Sequence, residues 1–255
     1  RLEQLSMSWY SGVGGAGRGT VSVTNSSFIT AGQLTVGGSG SGTVLLYGGT
    51  NIVKNTLYVG TYATGTGTYN LAAGSVLAVT NGYTAYFGYQ GKARITAANS
   101  QIGTYAGQYV GYISNSVGEV NLSASTATVG GVLYLANNSE STGRYGLVNS
   151  RLVVGSLLTV GSAGDGSVAA TNSAIECRAG LSMASVNSSK GDLRLYNSSQ
   201  TVAQNLQLGL YTNGSATITL LAGSSLVQSN SAYTVILGQY GKAIVSAANS
   251  RVFFA

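Results

Sequence analysis

Carboxylates are the first side chains here that could do chemistry, because two of them about 5–10 Å apart can hydrolyse a glycosidic bond. The chain has six, at Glu3, Glu119, Glu140, Asp165, Glu176 and Asp192. Glu140 and Asp165 each lie four residues after a small residue that closes a short apolar run, so adjacent repeats could bring them together. We interpret both as solvated corner charges, since charged side chains are mostly exposed.

The remaining residue types offer little chemistry. A lyase would need a base to remove a proton. Lys92 and Arg94 are close in sequence and Lys242 repeats Lys92, but strand alternation points Arg94 outward. The chain has no histidine, the most common general base and metal ligand, and its one cysteine, Cys177, excludes an intrachain disulfide. We therefore predict no catalytic, cofactor-binding or metal-binding residues, and we expect that the chain is not an enzyme.

Tyrosine is more informative, with 17 copies. Five of them lie one or two residues after a glycine that closes an apolar run: Tyr62, Tyr89, Tyr112, Tyr211 and Tyr240. If these rings line one edge of the molecule, they form a contact ladder that could stack on sugars or on a neighbouring protein. The alternative, that tyrosine simply suits strands and corners, is equally compatible with the sequence.

Composition narrows the class of protein. Charged residues are 7% of the 255 residues, against about 25% in ordinary domains, and the chain has 38 glycines and no proline. The net charge of +6 comes from 12 basic and 6 acidic residues, and the basic ones are spread along the whole chain, which argues against nucleic-acid binding. No run of 18 apolar residues is present, so we expect no membrane insertion. This composition suits an exposed surface protein, and the charge is compatible with a polysaccharide partner.

The elements that position these side chains belong to an internal repeat. A small residue closes a short apolar run every 23 to 29 residues, about 25 on average. The positions are Gly12, Gly37, Gly60, Gly88, Gly111, Ala136, Gly161, Ala184, Gly209 and Gly238. A second marker, Asn-Ser or Gly-Ser before an aliphatic residue, follows in most units, as at Asn99-Ser100 and Asn249-Ser250.

Between the markers, apolar residues alternate with polar ones. Ala93, Ile95 and Ala97 share one face while Arg94 and Thr96 point the other way, which predicts short strands with one buried face. Glycine and asparagine at the markers supply the positive φ that tight corners need. We therefore predict an all-β fold, a single-stranded parallel β-helix (β-solenoid) of about ten coils. The whole chain 1–255 would form one domain, with residues 1–6 as a non-repeat segment able to act as a strand-exchange arm.

The repeat resembles the glycine-rich repeats of bacterial type V secretion (autotransporter-like) passengers and PEP-CTERM-associated surface proteins. The clearest copy is LYVGTYATGTGTYNLAAGSVLAV at 57–79, and weaker copies extend the resemblance from Leu5 to Val252. The resemblance implies a secreted, right-handed β-helical stalk or adhesin segment at the bacterial cell surface, and it implies no catalytic residues.

The ends of a solenoid expose unpaired strands unless something covers them. The apolar residues at the two ends, Leu2, Leu5, Trp9, Phe253 and Phe254, are candidate assembly residues. A fragment of a longer rod and a subunit that stacks end to end would both leave such ends. We predict a structural protein of an extracellular filament that assembles with copies of itself. The alternatives are a polysaccharide-binding adhesin stalk and a β-helical polysaccharide lyase or hydrolase.

Overall fold

Strands of three kinds repeat in a fixed order along the chain. The computed structural model describes the backbone of residues 4–7 and 10–255, and the side chains from residue 12 onward. In each coil a seven-residue strand is followed by a four-residue strand and then, in most coils, by a three-residue strand. Each kind of strand forms its own parallel sheet, called here sheets C, A and B in that order.

Sheet A has 11 strands. They are β1 Gln4–Met7, β4 Ser27–Thr30, β7 Thr50–Val53, β10 Val76–Val79, β13 Gln101–Thr104, β16 Thr126–Val129, β19 Arg151–Val154, β22 Ala174–Cys177, β25 Ser199–Val202, β28 Ser225–Gln228 and β31 Arg251–Phe254. Sheet B has 10, namely β2 Tyr10–Val13, β5 Gln33–Val36, β8 Leu57–Val59, β11 Ala85–Phe87, β14 Gln108–Val110, β17 Leu133–Leu135, β20 Leu158–Val160, β23 Leu181–Met183, β26 Leu206–Leu208 and β29 Val235–Leu237.

Sheet C also has 10 strands. They are β3 Arg18–Thr24, β6 Ser41–Tyr47, β9 Thr66–Ala72, β12 Lys92–Ala98, β15 Val117–Ser123, β18 Thr142–Val148, β21 Asp165–Thr171, β24 Lys190–Tyr196, β27 Ser215–Leu221 and β30 Lys242–Ala248. In all three sheets each strand pairs with the strand three places further along the chain. The protein is therefore a β-solenoid of about ten coils, and the predicted fold is confirmed. The described residues contain no helix, and so no helical membrane span.

The core is a set of stacked rows of apolar side chains, because equivalent residues of successive coils pair in register. Ala93, Ile95 and Ala97 are buried inside β12, and Arg94 points outward, as predicted. The inward positions of sheets A and B are filled by residues such as Leu77 and Phe87, respectively, with no exposed surface. Each coil thus covers its apolar side chains by stacking on the coils before and after it, as in other solenoids.

The corner from sheet B to sheet C uses a residue with positive φ in every coil. Gly60 has φ +68°, and a Cβ there would lie 2.2 Å from the carbonyl oxygen of Lys92. The predicted markers have this conformation, except the first. Gly12 was the wrong choice, because it lies inside β2 opposite Thr35, and Gly14 (φ +71°) is the equivalent of Gly37. Two glycines so close together look alike in sequence, and only strand pairing separates them.

The corner from sheet C to sheet A is held by a row of serines. The Oγ of Ser150 accepts the backbone N–H of Ser125 at 3.1 Å and donates to the carbonyl of Val148 at 2.7 Å. The same arrangement links Ser100 through Ser173 and Ser198 to Ser224. At this bend the sheet hydrogen bonds are interrupted, and the serine hydroxyls bind the buried backbone groups that would otherwise lack a partner. This explains why the second marker contains serine.

The position of β1 bears on the predicted boundary between residues 1–6 and the repeat. Residues 1–6 were expected to lie outside the repeat, but Gln4–Met7 forms β1 and pairs in parallel with β4, Leu5 opposite Phe28. Residues 4–6 therefore extend sheet A, since their backbone continues its register, and their role as a strand-exchange arm stays a prediction. Residues 1–3 lie outside the described part of the chain.

Candidate binding surface

Four tyrosines stack on the outer face of sheet B. Tyr58, Tyr86, Tyr109 and Tyr134 are the middle residues of β8, β11, β14 and β17 and pair with one another in register. Their ring centroids follow at 5.1, 5.2 and 5.1 Å, with interplanar angles of 7, 13 and 12°. The middle residue of a three-residue strand points away from the core, so strand pairing alone aligns these rings. We call this row the tyrosine column.

Two further tyrosines lie beside the column, at the corner that follows sheet B. Tyr89 lies 5.2 Å from Tyr58 and 5.3 Å from Tyr86, at nearly right angles to both rings. Tyr112 is placed in the same way against Tyr86 and Tyr109, at 5.0 and 4.9 Å. Tyr89 and Tyr112 are themselves 5.2 Å apart. These two are called the tyrosine flank, and column and flank together form the tyrosine cluster.

The cluster is a half-buried aromatic surface. All six rings are of intermediate exposure, so each packs on its neighbours and still reaches solvent. Stacked and edge-to-face pairs at these distances are the favourable arrangements for aromatic rings. Burial, followed by the charges that neighbouring phenolates would carry, raises the pKa of Tyr86 to about 12. The same causes raise the pKa values of Tyr58 and Tyr109, so these three hydroxyls are uncharged at neutral pH.

We expect the free energy of unfolding to fall as the pH rises from about 10 toward 12. The unfolded chain loses its phenolic protons near the ordinary pKa of 10.0, whereas Tyr86 keeps its proton up to a pKa of about 12. Ionisation then favours the unfolded state, so the stabilisation is complete below pH 10 and is lost above it. Burial raises the pKa values of Tyr69 and Tyr145 in the same direction.

Denaturant midpoints measured against pH, with phenolate absorbance in parallel, test this expectation. The variant Tyr86→Phe should show a shallower fall, because it lacks one of the shifted groups. Phenolate absorbance that rises in one step near pH 10 while the protein stays folded would contradict the prediction.

The structure divides the predicted contact ladder into two groups. Tyr89 and Tyr112 belong to the cluster, but Tyr62, Tyr211 and Tyr240 make no ring contact within the described residues. The backbone N–H of Tyr89 bonds to Gly60 O, as that of Thr61 does to Gly37 O, so Tyr89 stacks on Thr61 and not on Tyr62. Tyr62, Tyr211 and Tyr240 are each one residue further along the corner and expose 58%, 49% and 69% of their surface.

Sequence reasoning missed the tyrosine column. Its members were visible as the tyrosine two residues before the marker in four consecutive units: LYVG, AYFG, QYVG and LYLA. The predicted contact ladder contains only tyrosines that follow the glycine, whereas the column tyrosines precede the marker inside a strand. The recurrence of tyrosine at this position in four consecutive units was the signal from which the column could have been predicted.

The acidic pair considered for catalysis is not in register. Asp165 pairs with Thr142 and Lys190 on the adjacent strands, and Glu140 lies two residues before Thr142 in the preceding corner. Both line one surface cavity of about 360 Å³. The Lys190 ammonium lies 3.8 Å from the Asp165 carboxylate. Within the described part of the chain, no group of three or more His, Cys, Asp or Glu side chains could hold a metal ion.

The other described carboxylates have polar partners. Glu176 forms ion pairs with Arg151 at 2.6 Å and Arg178 at 2.9 Å, and the hydrogen bond from Arg178 holds its pKa below the usual value. Asp192 pairs with Arg194 at 2.7 Å, and Glu119 accepts a hydrogen bond from Asn121. These three carboxylates are held by neighbouring side chains without a substrate, and an exposed ion pair is worth at most about 1 kcal/mol.

Cys177 is an inward residue of β22. Its side chain has no exposed surface, the amide of Gln200 donates to its sulfur at 3.3 Å, and burial raises its pKa to about 12. A thiol with a raised pKa in a closed core is a poor nucleophile, so this residue acts in packing.

The candidate assembly residues fall in two places. Phe253 and Phe254 lie in β31, the last strand of sheet A, with Phe254 at an inward position and Phe253 pointing out. Leu5 lies in β1. Leu2 and Trp9 lie outside the described residues.

A second surface follows the serine corner. Asn149, Asn172 and Asn197 line an open groove of about 600 Å³, and the amide of Asn197 donates to Asn172 at 2.8 Å. We call it the asparagine groove. Asparagine and serine side chains line it together with Ala124 and Ala174, and it contains no aromatic ring, unlike the tyrosine cluster.

No family model, curated protein or solved structure matches the chain. No family is therefore assigned. The type V secretion or PEP-CTERM resemblance remains an expectation from the sequence, and function has to be argued from the surfaces described above.

Proposed function

We propose that this protein is a structural component of an extracellular bacterial filament or surface fibre, and that it assembles with copies of itself by stacking coil on coil. The observation that supports this is the last described coil. Leu237 exposes 47% of its surface, whereas Leu208, its partner one coil earlier, is fully buried. The two occupy the same inward position, so a coil stacked on β29 would bury Leu237 as β29 buries Leu208.

Sheet A presents apolar side chains at the same edge. Val252 and Phe254 point inward from β31 and are 38% exposed, while Leu226 and Gln228 beneath them are fully buried. β29, β30 and β31 are the last strands of their sheets in the described structure, so the backbone N–H and C=O groups on their outer side lie at a sheet edge. A further parallel coil would bury these side chains and bond these groups, and parallel edges accept such a coil whatever its source. We propose the first coil of another copy as that source.

Electron microscopy of the purified chain tests the proposal. We expect concentration-dependent rods with a strand repeat of about 4.8 Å along their axis. The variant Val252→Lys/Phe254→Lys buries charge at the stacking edge and should leave no rods. Phe253→Lys is the matched control, because Phe253 lies between them on the same strand and points outward. Monomers at high concentration, or rods that persist in Val252→Lys/Phe254→Lys, would overturn self-assembly.

A polysaccharide-binding stalk is the second candidate, and the tyrosine cluster favours it. Exposed tyrosines are common where proteins bind ring-shaped ligands, since each offers an apolar face and a hydrogen-bonding hydroxyl. A stalk and a filament are compatible, because the cluster lies on the side of the rod and the stacking edge on its end.

We propose a non-catalytic role for the chain. What supports it is that four described carboxylates are engaged by basic or amide neighbours and that Glu140 is out of register with Asp165. Incubation with neutral and acidic polysaccharides should yield no new reducing ends and no unsaturated sugars. Release of either product would show hydrolase or lyase activity and would contradict this role.

A further inference from the structure

We propose that the tyrosine cluster binds a neutral glycan chain lying along the solenoid axis; this rests on the second candidate function and gives it a site. The direction follows from the fold. Because Tyr58, Tyr86, Tyr109 and Tyr134 occupy the same position in successive coils, the column runs parallel to the axis. Its rings repeat at 5.1–5.2 Å, so it presents a periodic row to a ligand that is itself a chain of rings.

The surroundings of the cluster select a neutral ligand. The column position is occupied by Thr35 before the four tyrosines and by Thr159 after them. The flank position is occupied by Thr61 before Tyr89 and by Asn137 after Tyr112. Both rows are therefore uncharged over these coils and end in hydroxyl or amide side chains. Such groups exchange hydrogen bonds with sugar hydroxyls but do not neutralise a carboxylate or sulfate.

The chemistry of the rings suits a sugar. The C–H groups on one face of a pyranose carry small positive charges, which the negative face of an aromatic ring attracts. The flank rings lie at 66–88° to the column rings that they contact, so rings of two orientations alternate along the strip. Burial raises the pKa values of Tyr58, Tyr86 and Tyr109, so their hydroxyls stay protonated at neutral pH and can donate as well as accept.

The size of the cluster argues against a protein partner. A full tyrosine side chain buries about 150–250 Å², and all six rings here are already partly covered by one another. The area left is well below the roughly 800 Å² per partner of a stable protein interface. A narrow strip of a few rings matches a segment of a single glycan chain instead.

Affinity electrophoresis in gels containing soluble neutral β-glucan, neutral α-glucan or anionic polygalacturonate tests the inference. We expect a neutral glucan to retard the wild-type chain. The variant Tyr89→Ser/Tyr112→Ser should weaken binding about tenfold per ring, which corresponds to the roughly 1.4 kcal/mol that an aromatic contact can supply. Tyr62→Ser/Tyr211→Ser is the matched control, because it removes two more exposed tyrosines that lie outside the cluster, and it should bind like the wild type.

The outcomes separate the site from the function. If the wild type binds none of these glycans, the polysaccharide-binding function and the site both fail. If it binds only polygalacturonate, the neutral ligand class is wrong. If Tyr89→Ser/Tyr112→Ser binds as tightly as the wild type, the site is wrong and another surface, such as the asparagine groove, carries the function.

Chemical nitration of the wild-type chain keeps the test decisive if Tyr89→Ser/Tyr112→Ser does not fold. Bound neutral glucan should protect Tyr89 and Tyr112 from nitration and leave Tyr62 and Tyr211 reactive, as read by mass spectrometry of peptides. Equal protection of all four, or of none, would overturn the site.

Discussion

Replacing Gly143 by valine is expected to destabilise the protein by about 3 kcal/mol or more, enough to prevent folding in a marginal background. Gly143 is the first inward residue of β18, directly after the corner that begins at Ala136. A Cβ at Gly143 would lie 2.2 Å from Val110 O and 2.4 Å from Ala136 N. These two atoms form a 2.9 Å hydrogen bond between successive coils, so the new side chain would enter that bond.

The contact cannot be relieved by a side-chain rotation, because both atoms belong to the backbone. Moving either atom breaks the bond that holds two coils together at their corner. A glycine or alanine occupies the equivalent position in every sheet C strand. The sequence places a small residue here because the corner of each coil folds over the start of the next sheet C strand.

Urea denaturation of Gly143→Val and of the matched variant Gly103→Val measures the effect. Gly103 is also a strand residue, but it points outward from β13, and the nearest atom to a Cβ there is Leu77 O at 4.0 Å. We expect Gly103→Val to change stability by less than about 1 kcal/mol, since valine suits strands. Equal stability of the two variants would refute the close approach at Gly143.

Replacing Asn51 by alanine is expected to cost about 2–4 kcal/mol. Asn51 is an inward, fully buried residue of β7. Its amide donates to Phe28 O at 2.7 Å, and its oxygen accepts a hydrogen bond from the hydroxyl of Tyr69, itself fully buried. Alanine would leave a cavity and a buried hydroxyl without a partner, and an unpaired buried donor costs more than a hydrogen bond contributes.

A double-mutant cycle with Tyr69→Phe separates the two costs. Phenylalanine keeps the ring in the core and removes the hydroxyl, so Asn51→Ala should be less damaging in the Tyr69→Phe background. We expect a coupling of about 1–2 kcal/mol between the two sites, measured by denaturation. If the two changes in the free energy of unfolding simply add, the Tyr69 hydroxyl and the Asn51 amide do not stabilise each other.

Local features of the fold could be predicted because they depend on neighbours in sequence. The alternation of Ala93, Ile95 and Ala97 with Arg94 follows from the two-residue period of a strand and needs no knowledge of the partner strand. Markers such as Gly60 and Gly88 could be found because a corner with positive φ requires glycine or a small substitute. Together these patterns determined the parallel β-helix, its number of coils and its buried residues.

Contacts between coils could not be predicted in the same way, because corners differ in length. Gly60 and Gly88 are 28 residues apart, while Gly37 and Gly60 are 23 apart. Glu140 and Asp165 both lie four residues after their markers, yet Asp165 pairs with Thr142 because the two corners differ in length. Tyr62 and Tyr89 lie two residues and one residue after theirs, and only strand pairing shows that Tyr89 is equivalent to Thr61.

Sequence and tertiary structure thus contribute different information about possible functional residues. The sequence by itself determined a repetitive parallel β-helix with few charges and no histidine, since composition and period are properties of the chain. Only the tertiary structure decided which side chains meet. It paired the carboxylates with basic or amide neighbours, and it assembled six tyrosines from two positions in the repeat into one surface, because strand register is settled by hydrogen bonds between residues more than 20 positions apart.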